Sequence, residues 1–172
     1  MSYSIRATTP GDVVRPSLTC SSVVWAAGMN ELCRRGVGMR ESGAFLVGQR
    51  NADVRRIEGF VFYDDLDPGC LASGIIVFDG AGYGPLWELC RARRCEVVAD
   101  VHTHEGRARQ SEIDSRNPMV AQAGHVALIV PSFAQHATGP RHLGIYEYLG
   151  SYAWRSFLGR RAAESFRIEK EA

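Results

Sequence analysis

The chain has 172 residues, the length of one domain, and its 45% hydrophobic and 23% charged residues are typical of a globular protein. Twenty basic and nineteen acidic residues leave a formal net charge of +1, which favours neither nucleic-acid binding nor attachment to a membrane surface. No apolar run approaches the roughly 20 residues that span a bilayer, and the five cysteines form no CxxC pair. We therefore expect a cytoplasmic protein with reduced thiols and with neither nucleic-acid nor membrane partners.

The first part of the chain predicts two short strand pieces and a helix. The helix extends from Ser21 or Ser22 to Arg35, with a serine at its N-cap. Gly36 is expected to end it in the left-handed conformation. The apolar stripe of the helix consists of Trp25, Met29, Leu32 and Cys33. The two strand pieces lie at residues 3–7 and 13–14.

A hairpin is predicted next. The sequence ESGAFLVG, residues 41–48, is an apolar run too short for a helix, and it therefore predicts a buried strand with Glu41 at its start. Residues 54–63 predict a strand that pairs back on it across a turn at residues 51–53. Residues 64–74 predict a loop.

Strands and helices alternate in the later segments. Pro85 suits the first turn of a helix, and a second, short helix is expected to begin at Ser111. The sequence pattern of residues 154–171 does not distinguish a helix from a strand. The further predicted strands lie at residues 75–78, 95–101, 124–130 and 143–149. This alternation predicts a single mixed α/β (α+β) domain with a largely antiparallel or mixed sheet.

A possible metal site lies in the sequence ADVHTHEGRARQSEID, residues 99–114. Residues two apart on a strand point to the same face, so His102 and His104 can share one ion. The helix that begins at Ser111 carries Asp114 back toward the histidines. Catalytic zinc commonly keeps three protein ligands and leaves a fourth position to water. Two imidazoles and one carboxylate therefore predict such a site.

A hydrolytic zinc site also needs a general base, and the HExxH arrangement that would supply one is absent. Glu105 directly follows His104, but on a strand its side chain would point to the opposite face. Glu41 is the best candidate by position, because it precedes an apolar strand and its neighbours Ser42 to Ala44 are small. The remaining histidines, His125, His136 and His142, lack ligand spacing and are expected to be ordinary.

Taken together, these segments resemble the JAB/MPN metallopeptidases of JAMM type, whose pattern is a glutamate heading an apolar strand, then HxH, seven residues and SxxD. ESGAFLVG is similar to the glutamate segment, HTH and SEID to the core, and GHVALIVPS to the following strand. The resemblance covers roughly residues 17–132. The chain departs from the pattern in having six residues between His104 and Ser111, and Glu105 where a proline is common.

The resemblance implies one MPN-like domain over residues 1–172, with a motif-bearing core at about 17–154. It implies a curved mixed sheet flanked by helices, similar to the cytidine-deaminase-like architecture. One zinc ion would be bound by three residues, Glu41 would act as general acid/base, and Ser111 would donate a hydrogen bond to the oxyanion. The zinc ligands would be His102, His104 and Asp114. The implied reaction is hydrolysis of the peptide or isopeptide bond after the C-terminus of a ubiquitin-like protein.

The small size resembles the bacterial members of this family, which suggests a ubiquitin-like conjugation operon or an antiviral defence system. The expected partners are a ubiquitin-like protein or its conjugates, and E1-like and E2-like enzymes of the same operon. Two alternatives stay open: a peptidase acting on a small sulfur-carrier-like protein, and a non-catalytic MPN scaffold or binding module. A barrel-type amidohydrolase would need about 250 residues, and a zinc deaminase would need HxE with a downstream PCxxC.

Overall fold

The computed structural model describes residues 16–170, so the strand pieces predicted at residues 3–7 and 13–14 lie outside the described residues. The strands are β1 (Ser17–Ser21), β2 (Gly43–Asn51), β3 (Val54–Phe62), β4 (Glu96–Thr103), β5 (Val126–Val130), β6 (Gly144–Gly150), β7 (Ala153–Leu158) and β8 (Phe166–Glu169). The α-helices are α1 (Ser22–Arg35), α2 (Tyr63–Leu66), α3 (Tyr83–Arg93), α4 (Glu112–Arg116) and α5 (Arg160–Ser165).

The eight strands of residues 16–170 form one curved sheet in the order β7-β6-β5-β4-β2-β3-β1-β8. The sheet is mixed: β4 and β5 are parallel, as are β1 and both of its neighbours, whereas the other adjacent pairs are antiparallel. The predicted mixed α/β fold with a curved mixed sheet flanked by helices is confirmed.

Strand β2 lies in the middle of the sheet and is covered on both faces. Ala44 and Leu46 pack into the cluster that includes α1, and Phe45 packs with α3 on the opposite face. A strand buried on both faces needs apolar residues at consecutive positions. This requirement explains why residues 44–47 form an uninterrupted apolar run.

Helix α1 confirms the predicted helix, but the left-handed conformation predicted for Gly36 at its end was wrong. The Ser21 hydroxyl accepts a hydrogen bond from the Val24 N–H at 3.2 Å, as expected for an N-cap. Gly36, however, has a φ of −74°, and the left-handed residues are Val37 and Gly38. Gly36 is needed for space instead, because a Cβ there would lie 2.5 Å from the carbonyl oxygen of Arg40.

The prediction of a strand at residues 75–78 was also wrong, because this segment pairs with no strand of the sheet. Its backbone donors serve other partners: the Val77 N–H bonds to the Cys70 carbonyl at 2.9 Å, and the Ile76 N–H to the Glu41 carboxylate at 3.3 Å. The C-terminal segment contains β7, α5 and β8 rather than a single element. Within residues 16–170, no helix has the length and apolar character needed to cross a membrane.

Candidate metal centre

The two histidines of the HTH sequence lie at the end of β4, between β2 and β5. His102 pairs with Gly43 of β2 on one side and with Ile129 of β5 on the other. His104 follows the last residue of β4, and its N–H donates to the Val130 carbonyl at 2.9 Å. The two side chains therefore share one face, and their Nε2 atoms are 3.1 Å apart.

Asp114 reaches the histidines from the first turn of α4. Ser111 is the N-cap of this helix and forms a capping box with Asp114: the Ser111 N–H donates to Asp114 Oδ2 at 2.7 Å, and the Asp114 N–H to Ser111 Oγ at 3.1 Å. Asp114 Oδ1 lies 3.6 Å from His102 Nε2, and Oδ2 lies 3.2 Å from His104 Nε2. The ligand atoms of the three residues lie within 4.8 Å of one another, so this group can hold a metal ion.

The six-residue loop between His104 and Ser111 is held by β6. The Tyr146 hydroxyl accepts a hydrogen bond from the Gln110 N–H at 3.0 Å and donates to the Ala108 carbonyl at 3.1 Å. The Ala108 carbonyl also lies against Gly144, where a Cβ would be 2.1 Å from its oxygen. Tyr146 and Gly144 thus hold this loop in the position from which Ser111 and Asp114 lie beside the histidines.

Glu41 lies beside His104, two residues before β2. Its Oε1 is 3.8 Å from His104 Nε2, and its Oε2 accepts a hydrogen bond from the Ile76 N–H at 3.3 Å. The Glu41 N–H donates to the Gly74 carbonyl at 3.1 Å. Both the backbone and the carboxylate are therefore fixed by residues 74–76. Glu105, the alternative base, is exposed.

A cleft of about 490 Å³ joins Glu41, His102, Ser111 and Asp114 to an apolar wall. Two hydrogen bonds fix the sides of this cleft: the Tyr83 hydroxyl donates to the Met119 carbonyl, and Trp154 Nε1 to the Ser115 carbonyl at 2.9 Å. The apolar wall includes Ile76, Phe78, Tyr83, Ile113, Met119 and Trp154. Such a combination of an apolar surface and a few convergent polar groups is typical of a ligand site.

The electrostatics of the centre favour an ionised Asp114. Burial alone would raise the pKa of its carboxyl, but hydrogen bonds with His102 and His104 outweigh burial and hold the pKa well below its usual value. Burial likewise opposes a charged His102, yet the neighbouring Asp114 carboxylate holds the pKa of that imidazole above its ordinary value of 6.5. The Asp114 carboxylate therefore supplies a negative charge beside the two imidazoles.

His125, which lacks ligand spacing, pairs with a buried carboxylate. It is buried, and its Nε2 lies 2.6 Å from Oδ1 of Asp100, which is itself buried. The Tyr63 hydroxyl donates to the other Asp100 oxygen at 3.3 Å. Asp100 lies two residues before His102 and lines the same cleft. Asp100 is the feature of the sequence that could have indicated this pair, because a carboxylate within a buried strand needs a partner.

The structure thus brings four of the five predicted site residues, Glu41, His102, Ser111 and Asp114, to one cleft. The fifth, His104, forms the possible ligand set with His102 and Asp114 and lies 3.8 Å from Glu41 Oε1. His136 and His142 are exposed, as expected of residues outside a metal site.

No family model matches the sequence. In fold, the chain is similar to the solution structure of protein DSY2949 from Desulfitobacterium hafniense, a structural genomics target, with a TM-score of 0.64. The similarity covers 90% of this chain and 94% of that chain at 15% sequence identity. At this identity the similarity concerns the fold alone.

Proposed function

We propose that the protein is a zinc-dependent metallopeptidase of JAMM type that hydrolyses the peptide or isopeptide bond after the C-terminus of a ubiquitin-like protein. The observation that carries this proposal is the position of the Glu41 carboxylate, 3.8 Å from His104 Nε2 and in one cleft with His102 and Asp114. A carboxylate base beside a three-residue ligand set is the arrangement that metal-assisted hydrolysis requires.

The donor set suits zinc. Two imidazole Nε2 atoms and one carboxylate oxygen are common zinc ligands, and three protein ligands are typical of catalytic rather than structural sites. The low pKa of Asp114 keeps its carboxylate available. When bound, zinc would supply Lewis-acid polarisation of the carbonyl and lower the pKa of water.

The residues around the ligand set have separate roles in this reaction. Glu41 takes a proton from the attacking water and returns it to the leaving amine, and the Ile76 N–H holds its carboxylate in place. Ser111 Oγ accepts the Asp114 N–H and keeps its own hydrogen, which it donates to the oxyanion.

The substrate class comes from the sequence resemblance to bacterial JAMM peptidases of ubiquitin-like conjugation systems, including antiviral operons. The proposed partners are the ubiquitin-like protein, its conjugates, and E1-like or E2-like enzymes of the same operon. All five cysteines are free, which suits the proposed location in a reduced cytoplasm.

The test is incubation of the zinc-loaded protein with fusions of candidate ubiquitin-like and sulfur-carrier-like proteins to a reporter, read by intact mass. We expect one cut, directly after the carrier domain, that disappears when a chelator removes zinc. Glu41→Gln should keep zinc and lose turnover by roughly 10²- to 10⁴-fold, whereas Glu105→Gln, the matched control, should retain turnover. Unchanged turnover in Glu41→Gln would refute the assigned base, and absence of any zinc-dependent cut would favour the non-catalytic scaffold.

A further inference from the structure

Three consecutive residues after β5, Ser132–Ala134, form a turn with left-handed backbone angles. Their φ values are 52°, 49° and 57°, and none of the three is glycine. Elsewhere in residues 16–170, non-glycine residues with positive φ occur singly or in pairs. The left-handed conformation is unfavourable for L-residues, so a run of three persists only where surrounding contacts hold it.

The left-handed turn forms hydrogen bonds with the last residue of the HTH sequence and with the loop that follows it. The Phe133 N–H donates to the His104 carbonyl at 2.8 Å, and the Ser132 N–H donates to the Gly106 carbonyl at 3.2 Å. Two successive amides therefore bind the carbonyls on either side of Glu105. In a right-handed turn these amides would point in other directions.

His104 needs such support because β4 ends at Thr103. Its N–H bonds to the Val130 carbonyl at the end of β5, and its carbonyl bonds to the Phe133 N–H. One backbone group is therefore held by the neighbouring strand and the other by the left-handed turn. Together these two hydrogen bonds fix the direction in which the His104 side chain leaves the backbone.

The residue that follows the turn also contacts the segment that leads to Glu41. The Gln135 side-chain amide donates to the Gly38 carbonyl at 2.6 Å. Gly38 lies in the connection between α1 and β2, three residues before Glu41. The chain around the left-handed turn thus joins the segment that carries a metal-ligand candidate to the segment that carries the candidate base.

We propose that the left-handed turn Ser132–Ala134 positions His104 for metal binding, with Phe133 as the positioning residue that acts through its backbone N–H. The proposal requires a metal centre at His102, His104 and Asp114 but does not depend on peptidase activity. Its consequence is that metal affinity follows the ease with which residue 133 adopts the left-handed conformation, and not the size of its side chain.

The test is a series of substitutions at Phe133, measured by zinc affinity against a chromophoric chelator and by the visible absorption of the Co²⁺-loaded protein. Phe133→Gly and Phe133→Asn tolerate the left-handed conformation, and we expect zinc affinity within about threefold of wild type. Phe133→Val and Phe133→Pro do not tolerate it. For these two variants we expect affinity at least roughly tenfold weaker, as for loss of a supporting partner of a metal ligand, and an altered Co²⁺ spectrum.

Ala52→Val is the matched control, because Ala52 has the same φ of 49° but lies in the turn between β2 and β3. It should lower the thermal midpoint and leave zinc affinity and the Co²⁺ spectrum unchanged. All affinities are measured well below the midpoint of every variant. If Phe133→Val behaves as Ala52→Val does, the left-handed turn has a structural role only and the proposal is refuted.

Should Phe133→Val and Phe133→Pro fail to fold, the comparison of Phe133→Ala with Phe133→Gly tests the proposal instead. Both substitutions remove the ring and keep the N–H, so they differ in backbone preference. We expect Phe133→Ala to bind zinc several-fold more weakly than Phe133→Gly, and equal affinities would overturn the proposal. A wild-type protein that binds neither ion would refute the metal centre itself, on which the proposal depends.

Discussion

Replacing Asp114 by alanine removes a metal-ligand candidate and a helix cap in one step. Its Oδ2 accepts the Ser111 N–H at 2.7 Å and also lies 3.2 Å from His104 Nε2. In the metal-free protein, loss of the capping bond should lower the free energy of unfolding by about 1 kcal/mol. Zinc affinity should fall by at least about 100-fold, because the loss of an outer partner of a ligand alone costs roughly 10- to 100-fold.

Two measurements separate these effects: urea unfolding of the metal-free protein, and zinc titration against a competing chelator. Glu112→Ala is the control, because Glu112 lies in the same helical turn, is 76% exposed and pairs with Arg116. An exposed pair of this kind contributes about 0–1 kcal/mol, so its loss should leave zinc binding unchanged. Wild-type zinc affinity in Asp114→Ala, or an equal loss in Glu112→Ala, would refute the assigned ligand.

Three further changes test other parts of the structure. Ser111→Ala should lower turnover by roughly 10²- to 10³-fold, the usual effect of removing an oxyanion donor; unchanged steady-state turnover would contradict this role. Gly43→Ala places a Cβ 2.3 Å from the buried Tyr63 ring, and should cost about 1–3 kcal/mol in urea unfolding, as overpacking does; wild-type stability would show that the ring can move. Hydrogen bonds with Arg34 lower the pKa of Glu31 from 4.5 to about 2. The ionised carboxylate therefore stabilises the fold above pH 4.5, and this stabilisation is lost as the pH falls toward 2. Glu31→Gln should therefore lower stability by about 1 kcal/mol at pH 7, and a difference from wild type that persisted at pH 2 would contradict this reasoning.

The elements that the sequence predicted well are those governed by local rules. The serine cap of α1 and the capping box at Ser111 depend on residues within one helical turn. The shared face of His102 and His104 follows from the two-residue period of a strand. The position of Glu41 beside them needed the family pattern as well, because β2 and β4 are adjacent in the sheet but distant along the chain.

What the sequence did not predict depends on contacts between distant segments. The pairing of Asp100 with His125 follows from the parallel alignment of β4 and β5, which no local pattern reveals. Residues 75–78 have the composition of a strand, but their amides bind Cys70 and Glu41 instead of another strand. The left-handed turn at Ser132–Ala134 carries no glycine signal, because its conformation is set by the carbonyls that it binds.

The position of β1 in the sheet has a consequence for how the protein is made. This strand comes first among the eight, yet one of its two neighbours is β8, with Leu18 aligned to Phe166. While the ribosome is still synthesising the intervening segments, one edge of β1 stays without its partner, and unpaired strand edges attract incorrect partners. Because contacts between distant residues also form slowly, we expect the docking of β8 on β1 to complete folding after the region of the metal centre has formed.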